Sequence, residues 1–277
     1  MAGALACAQV VFMRIVALIA AYNEARFIGG CIDHLHAHGV GVWLLDDGST
    51  DDTAASAEER RGRGLLGIER LQRDGTYHWR GLLRRKEELA STLDADWFLH
   101  LDADEILLPP PQHATLHDAF AAADAAGYNA IDLAELTFVP TRESPDHDHA
   151  DFHRTMLWYY PFASSPLHLV RGWKRQPERV DLATNGGHAV GFAGRRIFPQ
   201  RFLLRHYLFL SREHAREKYE RRRFDGAELR DGWHGWRPTL RVDAIRLPAA
   251  AELRVAHSDE ELDPSAPRTE HCVVWSR

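Results

Sequence analysis

Cysteine is scarce in this chain. Cys7, Cys31 and Cys272 are the three among 277 residues, far apart and without the spacing of paired thiolate ligands. That excludes a disulfide framework and a cysteine-ligated zinc site, and it fits a reducing compartment such as the cytoplasm. Long apolar runs are equally rare. The first twenty-one residues are mostly apolar, but no basic segment precedes them and Arg14 interrupts the run. They read as a leader ahead of Met13 and then a first core strand over 14–20, not as a signal peptide or anchor. No other stretch is long and apolar enough to span a bilayer, so an integral membrane segment is not expected and a peripheral place at a membrane is the most that remains. No internal repeat is visible. A net charge of −6 argues against a general nucleic-acid binder, although the basic stretch from Arg195 to Arg223 leaves room for a local anion site.

Against these absences stand two acidic clusters. Asp46-Asp47-Gly48-Ser49-Thr50-Asp51-Asp52-Thr53 follows the apolar run Val42-Trp43-Leu44-Leu45, and Asp102-Ala103-Asp104-Glu105 follows Trp97-Phe98-Leu99-His100-Leu101. Apolar runs of that length, bounded by turn residues, read as buried strands of a parallel sheet. The carboxylates then crown the carboxyl ends of two strands, the edge at which open α/β sheets bind ligands. Like charges gathered on one rim point to a cation or a donor-rich ligand.

The rest of the first half alternates in the same way. The pattern predicts a strand at 14–20, a helix from Glu24 to His38, a strand at 41–46, and a helix through Arg60 with Ser49 as its N-cap. A strand at 65–71, a helix from Gly81 to Leu93 and the strand at 97–101 follow, which together predict a parallel sheet with right-handed crossovers. After Pro109-Pro110-Pro111 the character shifts. An alanine-rich helix from Thr115 to Ala126 precedes an alternating strand over 131–139, a polar loop over 140–153 and aromatic-rich strands across 155–171. A turn at Asn185-Gly186-Gly187, a strand at 201–207 and a charged helix from Ser211 to Phe224 come next. The last fifty residues, with four prolines, read as a loosely structured wrap.

With those residues placed, the chain resembles the family 2 glycosyltransferases, α/β proteins of the GT-A type with a mostly parallel, Rossmann-like sheet flanked by helices. The resemblance rests on Ala21-Tyr22-Asn23-Glu24, on the acidic octet, on Asp102-Ala103-Asp104, and on Arg205-His206-Tyr207 ahead of Ser211 and a basic helix. It implies a nucleotide-sugar-binding half over 14–108, an acceptor and catalytic half over 109–226, and a C-terminal wrap over 227–277. The implied activity is metal-dependent, inverting transfer of one sugar from a nucleoside-diphosphate sugar, uridine diphosphate by default, to a small-molecule or glycan acceptor. The synthase signature Gln-x-x-Arg-Trp and membrane helices are missing, which favours single transfer over processive synthesis. Two other classes compete, a sugar nucleotidyltransferase and a catalytically silent nucleotide-sugar binder. The first lacks a Gly-rich, basic loop after its first strand.

The chemistry explains the residue types. Negative charge develops on the departing diphosphate, and a divalent ion on hard oxygen ligands, Mg²⁺ or Mn²⁺, offsets it. The resemblance implies Asp104 as the direct ligand, Asp102 facing the ribose or a metal-bound water, and His206 completing the set. The nucleoside is expected over the first two strands, with Asp46 or Asp47 reading a base N–H while Glu24 and the backbone of Ala21, beside Tyr22 and on the far side Ala103, reach base or ribose. The competing readings of the Asp46–Asp47 pair are a turn element or the acidic pair of a phospho-receiver. Arg84 or Lys86 and Lys218 are the expected diphosphate contacts, the other nearby arginines forming a solvated face. The base that deprotonates the acceptor is expected at Asp181, with Glu178 and His188 as alternatives. The His- and Asp-rich segment 146–153 reads as a polar loop near the acceptor in preference to a metal site. Trp158, Tyr159, Tyr160 and Trp173 suit either a stacking wall or the core.

Overall fold

A computed structural model describes residues 13–235 and 237–273. The leader expected ahead of Met13, with Cys7, lies outside the described residues. The elements run in the order β1 (Ile15–Ala21), α1 (Ile28–Ala37), β2 (Val40–Asp46), α2 (Thr53–Glu58), β3 (Leu65–Arg70), β4 (Thr76–Tyr77), α3 (Trp79–Thr92), β5 (Trp97–Leu101) and β6 (Glu105–Leu108). The second half adds α4 (Leu116–Ala125), β7 (Ala130–Phe138), α5 (Phe152–Thr155), β8 (Trp158–Phe162), β9 (Leu169–Lys174) and β10 (Phe202–Tyr207). Then come α6 (Arg212–Ala215), β11 (Arg223–Phe224), α7 (Gly226–Arg230) and β12 (Arg254–Val255).

One sheet runs through both halves in the order β12-β8-β7-β9-β5-β1-β2-β3, with β10 joining β7 to β6. The four strands β5-β1-β2-β3 are parallel, whereas β9 lies antiparallel between β5 and β7. The central strand β1 has apolar side chains on both faces because successive residues point to opposite sides. Ile15, Ala17 and Ile19 pack against α1 and α4, while Val16 and Leu18 pack toward α3. Each of the isoleucine, valine and leucine side chains contributes about 1.5–3 kcal/mol by leaving water. Helix α1 presents Ile28, Cys31, Ile32 and Leu35 to that core, a spacing that follows one helical face, and it ends at Gly39 with φ +77°, the left-handed stop that favours glycine. Thr115 caps α4 through the amide of Asp118.

Three local expectations change. Ser49 does not cap α2; its Oγ accepts the Asn23 amide at 3.0 Å, and Asp52 occupies the cap position. The charged helix after Ser211 stops early: α6 passes into a π turn over Arg216–Glu220, and Arg223–Phe224 then pairs with β4. The last fifty residues are anchored more firmly than a loose wrap, with β12 on β8 and the Arg268 backbone exchanging bonds with Pro161 and Ala163, both 2.9 Å. Trp173, Tyr159 and Tyr160 are fully buried and belong to the core.

Candidate active site

The acidic octet and the Tyr22–Glu24 turn are one structure. Asn23 adopts φ +57°, and its side-chain oxygen accepts the Thr50 amide at 2.8 Å. Thr53 Oγ1 accepts the Glu24 amide at 2.8 Å, and Asp51 accepts the Ala25 amide at 3.2 Å. Most of the octet therefore holds the neighbouring strand end in place. Asp46 is part of that scaffold: its Oδ1 accepts the Ser49 amide at 3.1 Å, and it does not line the cleft. Asp47 does line it, ion-paired to Arg73, whose guanidinium stacks 3.8 Å over the Tyr22 ring. Its backbone N–H takes the Ala21 carbonyl at 2.8 Å.

The cleft, about 510 Å³, opens at the carboxyl edge of β1 and β5. Ala21, Tyr22, Glu24, Asp47, Asp102, Ala103, Asp104, His188, His206 and Lys218 all line it, so the structure brings together most of the residues singled out in the sequence. Burial pushes the Glu24 carboxyl up to about 7 against the pull of Lys218. Asp102 reaches the cleft half-buried from a turn fixed by Glu105, whose Oε2 accepts the Asp102 amide at 2.8 Å. Arg171 on β9 holds Glu105 from the other side through two bonds of 2.7 and 3.0 Å.

Asp104 is buried, ion-paired with Lys218 from the π turn, and 3.6 Å from His206 Nε2. His206 Nδ1 lies 2.8 Å from Glu135 on β7. Burial raises the Asp104 carboxyl, but Lys218 and His206 outweigh it and hold the group well below the usual carboxylate range. Burial opposes charge on His206 as well, and Glu135 and Asp104 more than reverse that effect. Asp104 and His206 could hold a divalent ion once His206 gives up its proton and Lys218 yields the Asp104 oxygen that both face. One carboxylate oxygen and one imidazole nitrogen converge, and the outer imidazole nitrogen is oriented by a carboxylate, as in metal-ligating histidines. Among the described residues no group of three or more potential ligands gathers, in the cleft or outside it, and the side chains of the 146–153 segment have other partners: His147 has Thr155 and Ser144, Asp148 has Arg26.

Several sequence candidates stand elsewhere. Arg84 is exposed on the outer face of α3 and does not line the cleft, because the helix turns that position to solvent. Lys86 is fully buried beneath the cleft floor, donating to His100 Nδ1 at 2.8 Å and the Leu101 carbonyl at 3.3 Å. Asp181 turns away from the cleft, its Oδ1 accepting the Thr184 amide at 2.9 Å, and Glu178 is exposed outside it. Of the three candidates for the base, only His188 faces the cleft. Its loop is clamped: Glu87 accepts the amides of Leu182 and Ala183 at 2.8 and 2.9 Å, and Trp79 Nε1 donates to the Gly186 carbonyl at 2.9 Å. Gly187, at φ +85°, leaves no room for a Cβ, which would lie 2.7 Å from His100 Nε2.

Sequence reasoning passed over Glu135, Arg171, His168, Tyr77, Arg222 and His271, all of which line the cleft. Glu135 carried a faint signal, a carboxylate on the apolar side of an alternating strand, which is rare unless paired. Arg222 lay within the basic stretch after His206 but was not separated from its arginine neighbours, and the others have no local signature.

The α/β sheet with acidic residues at its carboxyl edge is of the GT-A type. Residues 16–129 match Glycosyl transferase family 2. No curated protein matches the chain. Among solved structures, S. aureus TarS 1-349 is similar at 14% identity and a TM-score of 0.43, over 76% of this chain and 63% of that one. The same fragment in complex with UDP-GlcNAc aligns at 14% identity and a TM-score of 0.42, over 76% and 64%. Glucosyl-3-phosphoglycerate synthase from Mycobacterium tuberculosis, in complex with Mn²⁺, UDP and glucosyl-3-phosphoglycerate, aligns at 18% identity and a TM-score of 0.27, over 45% and 44%. The chain thus spans less than two thirds of the length of each of these structures. Among the described residues no helix is long and apolar enough to cross a membrane.

Proposed function

We propose that the protein transfers one sugar from a nucleoside-diphosphate sugar to an acceptor hydroxyl with inversion, assisted by Mg²⁺ or Mn²⁺. The observation that carries the reading is the convergence of Asp104, His206 and Lys218 in a cleft built on a domain that matches family 2. A divalent ion, when bound, offsets charge on the leaving diphosphate. Asp104 and His206 would hold it, with Asp102 beside them. Lys218 adds a fixed positive charge that meets the same diphosphate. Tyr22, Arg73 and Asp47 form the nucleoside end, where the carboxylate accepts a base N–H and the Arg73–Tyr22 pair gives a stacking face.

His188 is the base in this reading. Its ring faces the cleft from a loop held on α3; burial and then Arg171 push the imidazole down to about 4, so the ring is neutral and has a nitrogen free to accept the proton of the acceptor hydroxyl as the sugar carbon is attacked. The test is turnover of UDP-sugars by the full chain with Mn²⁺, following nucleoside diphosphate release. Release of pyrophosphate instead, or no release from any nucleoside-diphosphate sugar, rejects the assignment.

A further inference from the structure

The cleft is longer than the nucleotide end requires, and its far end is chemically distinct. Asp47 follows β2, Tyr22 follows β1, Asp102 follows β5, Arg171 is on β9, Glu135 on β7 and Phe162 on β8. These six strands are consecutive in the sheet, so the cleft is crossed in five steps of about 4.8 Å, roughly 24 Å from base to far wall. At that wall four rings touch in series. His271 stacks on Phe162 with centroids 4.1 Å apart and planes 12° from parallel. His168 meets the Phe162 ring edge-on at 5.1 Å and stacks on His188 at 5.2 Å.

Each ring except the base is fixed in orientation. Ser164 Oγ lies 2.9 Å from His168 Nδ1, and Glu135 Oε2 lies 3.4 Å from its Nε2. The Tyr160 hydroxyl lies 2.7 Å from His271 Nδ1. The tail that carries His271 is zipped to β8 by the two Arg268 backbone bonds. Burial pushes His271 down to about 4, so that ring presents polar edges without charge at neutral pH. Aliphatic side chains larger than alanine are nearly missing from the cleft: among the described residues Leu82 and Leu208 are the two that line it. An acyl or isoprenoid chain needs an apolar channel, and none is offered here.

Resting on the transferase reading above, we infer that this ring wall is the acceptor subsite and that the acceptor group it takes is a saccharide. A sugar ring has an apolar C–H face suited to the flat Phe162–His271 stack and a rim of hydroxyls suited to fixed imidazole edges and Arg171. The wall continues directly into His188, so a hydroxyl of a sugar seated there meets the base. The C-terminal tail is therefore part of the site through His271.

The experiment is saturation-transfer NMR on the full chain with methyl glycosides of glucose, galactose, mannose and N-acetylglucosamine, with and without UDP and Mn²⁺. Farnesyl phosphate and a serine-rich peptide serve as competing probes. At least one glycoside is expected to bind, and Phe162→Ala and His271→Ala to weaken it about three- to tenfold, the worth of one aromatic stack. His271→Phe, which keeps the stack and loses the polar edge, separates the two contributions without opening a hole. UDP affinity in the same samples reports on the donor reading alone and is expected to stay within about twofold in these variants. Failure of every glycoside to bind, binding of only the farnesyl phosphate or the peptide, or unchanged glycoside affinity in folded variants overturns the inference.

Discussion

The two ends of the cleft, the proposed nucleotide end and the proposed acceptor end, are built on opposite plans. At the nucleotide end, two motifs twenty-odd residues apart hydrogen-bond to each other, and their strands are neighbours in a parallel sheet. The whole arrangement joins two successive strand–turn–helix units. At the acceptor end, Glu135, Phe162, His168, His188 and His271 come from five separate segments, joined by antiparallel strands and a returning tail. A local plan leaves a local signature, while a plan assembled by tertiary contacts leaves almost none. The boundary between the two is the Asp104–His206 pair, one partner from each half.

The sharpest way to break this division is at that pair. Asp104→Ala removes the carboxylate that Lys218 and His206 share, and it leaves two half-buried groups without their common anion. Mn²⁺-dependent nucleotide binding should be lost while circular dichroism shows a folded chain, because the bound cation is the strongest local charge on a diphosphate. Calorimetry with UDP and Mn²⁺ measures it; wild-type affinity would remove Asp104 from the site. Next in size is the proposed base, His188. His188→Ala should cut transfer by about 10² to 10⁴, with UDP binding near normal. Asp181→Asn, which touches only the Thr184 turn, should stay within about threefold, a small effect of the kind expected for a surface turn. Reversed sensitivities would restore Asp181 as the base.

This contrast sets what was legible in the sequence. The parallel strands β1, β2, β3 and β5, and the helices between them, follow from apolar runs and turn residues, and the structure places them within a few residues of expectation. The acidic residues at strand ends were legible for the same reason. The division of labour inside the octet was not, because Asp46 and Asp47 are adjacent yet one turns under the loop and the other into the cleft. Asp181 and His188 show a related limit. Both flank the same glycine turn, but only the left-handed Gly186–Gly187 backbone decides which of them points inward. Lys86 looked like a phosphate contact by its position before the Asp-x-Asp strand, and helix rotation instead carries it into the core. His271 had no signal, since its place depends on the tail returning to β8.

A third prediction tests the bridge between the ends. Glu87, on a helix of the first half, is buried and fixes the loop of the second half through the Leu182 and Ala183 amides. Glu87→Gln replaces a charged acceptor by a neutral one and weakens those bonds without emptying the site. Transfer should fall about tenfold, while UDP affinity stays near wild type, since a misplaced catalytic group costs rate more than binding. Equal losses in both would mean that the loop also shapes the nucleotide end.

The smallest effect concerns the residue that the sequence placed at the diphosphate and the structure places below it. Burial lowers Lys86 to about 7 from its ordinary 10.5, only partly opposed by Asp102, and its neighbour His100 is held neutral. The unfolded chain binds the Lys86 proton below about pH 10.5, whereas the folded chain binds it only below about 7. Between those values the unfolded state carries more protons, so stability from this group rises with pH, by at most about 1.4 kcal/mol per pH unit, and is flat below pH 7. Lys86→Met removes that slope but leaves His100 Nδ1 and the Leu101 carbonyl without their donor, a cost independent of pH over this window. Urea unfolding of both proteins from pH 6 to pH 10 isolates the difference. The variant should compare most favourably with wild type at pH 6 and least favourably at pH 10. A difference that does not change with pH would show that Lys86 keeps an ordinary proton affinity, and hence that the space below the cleft floor is open to water or to the diphosphate after all.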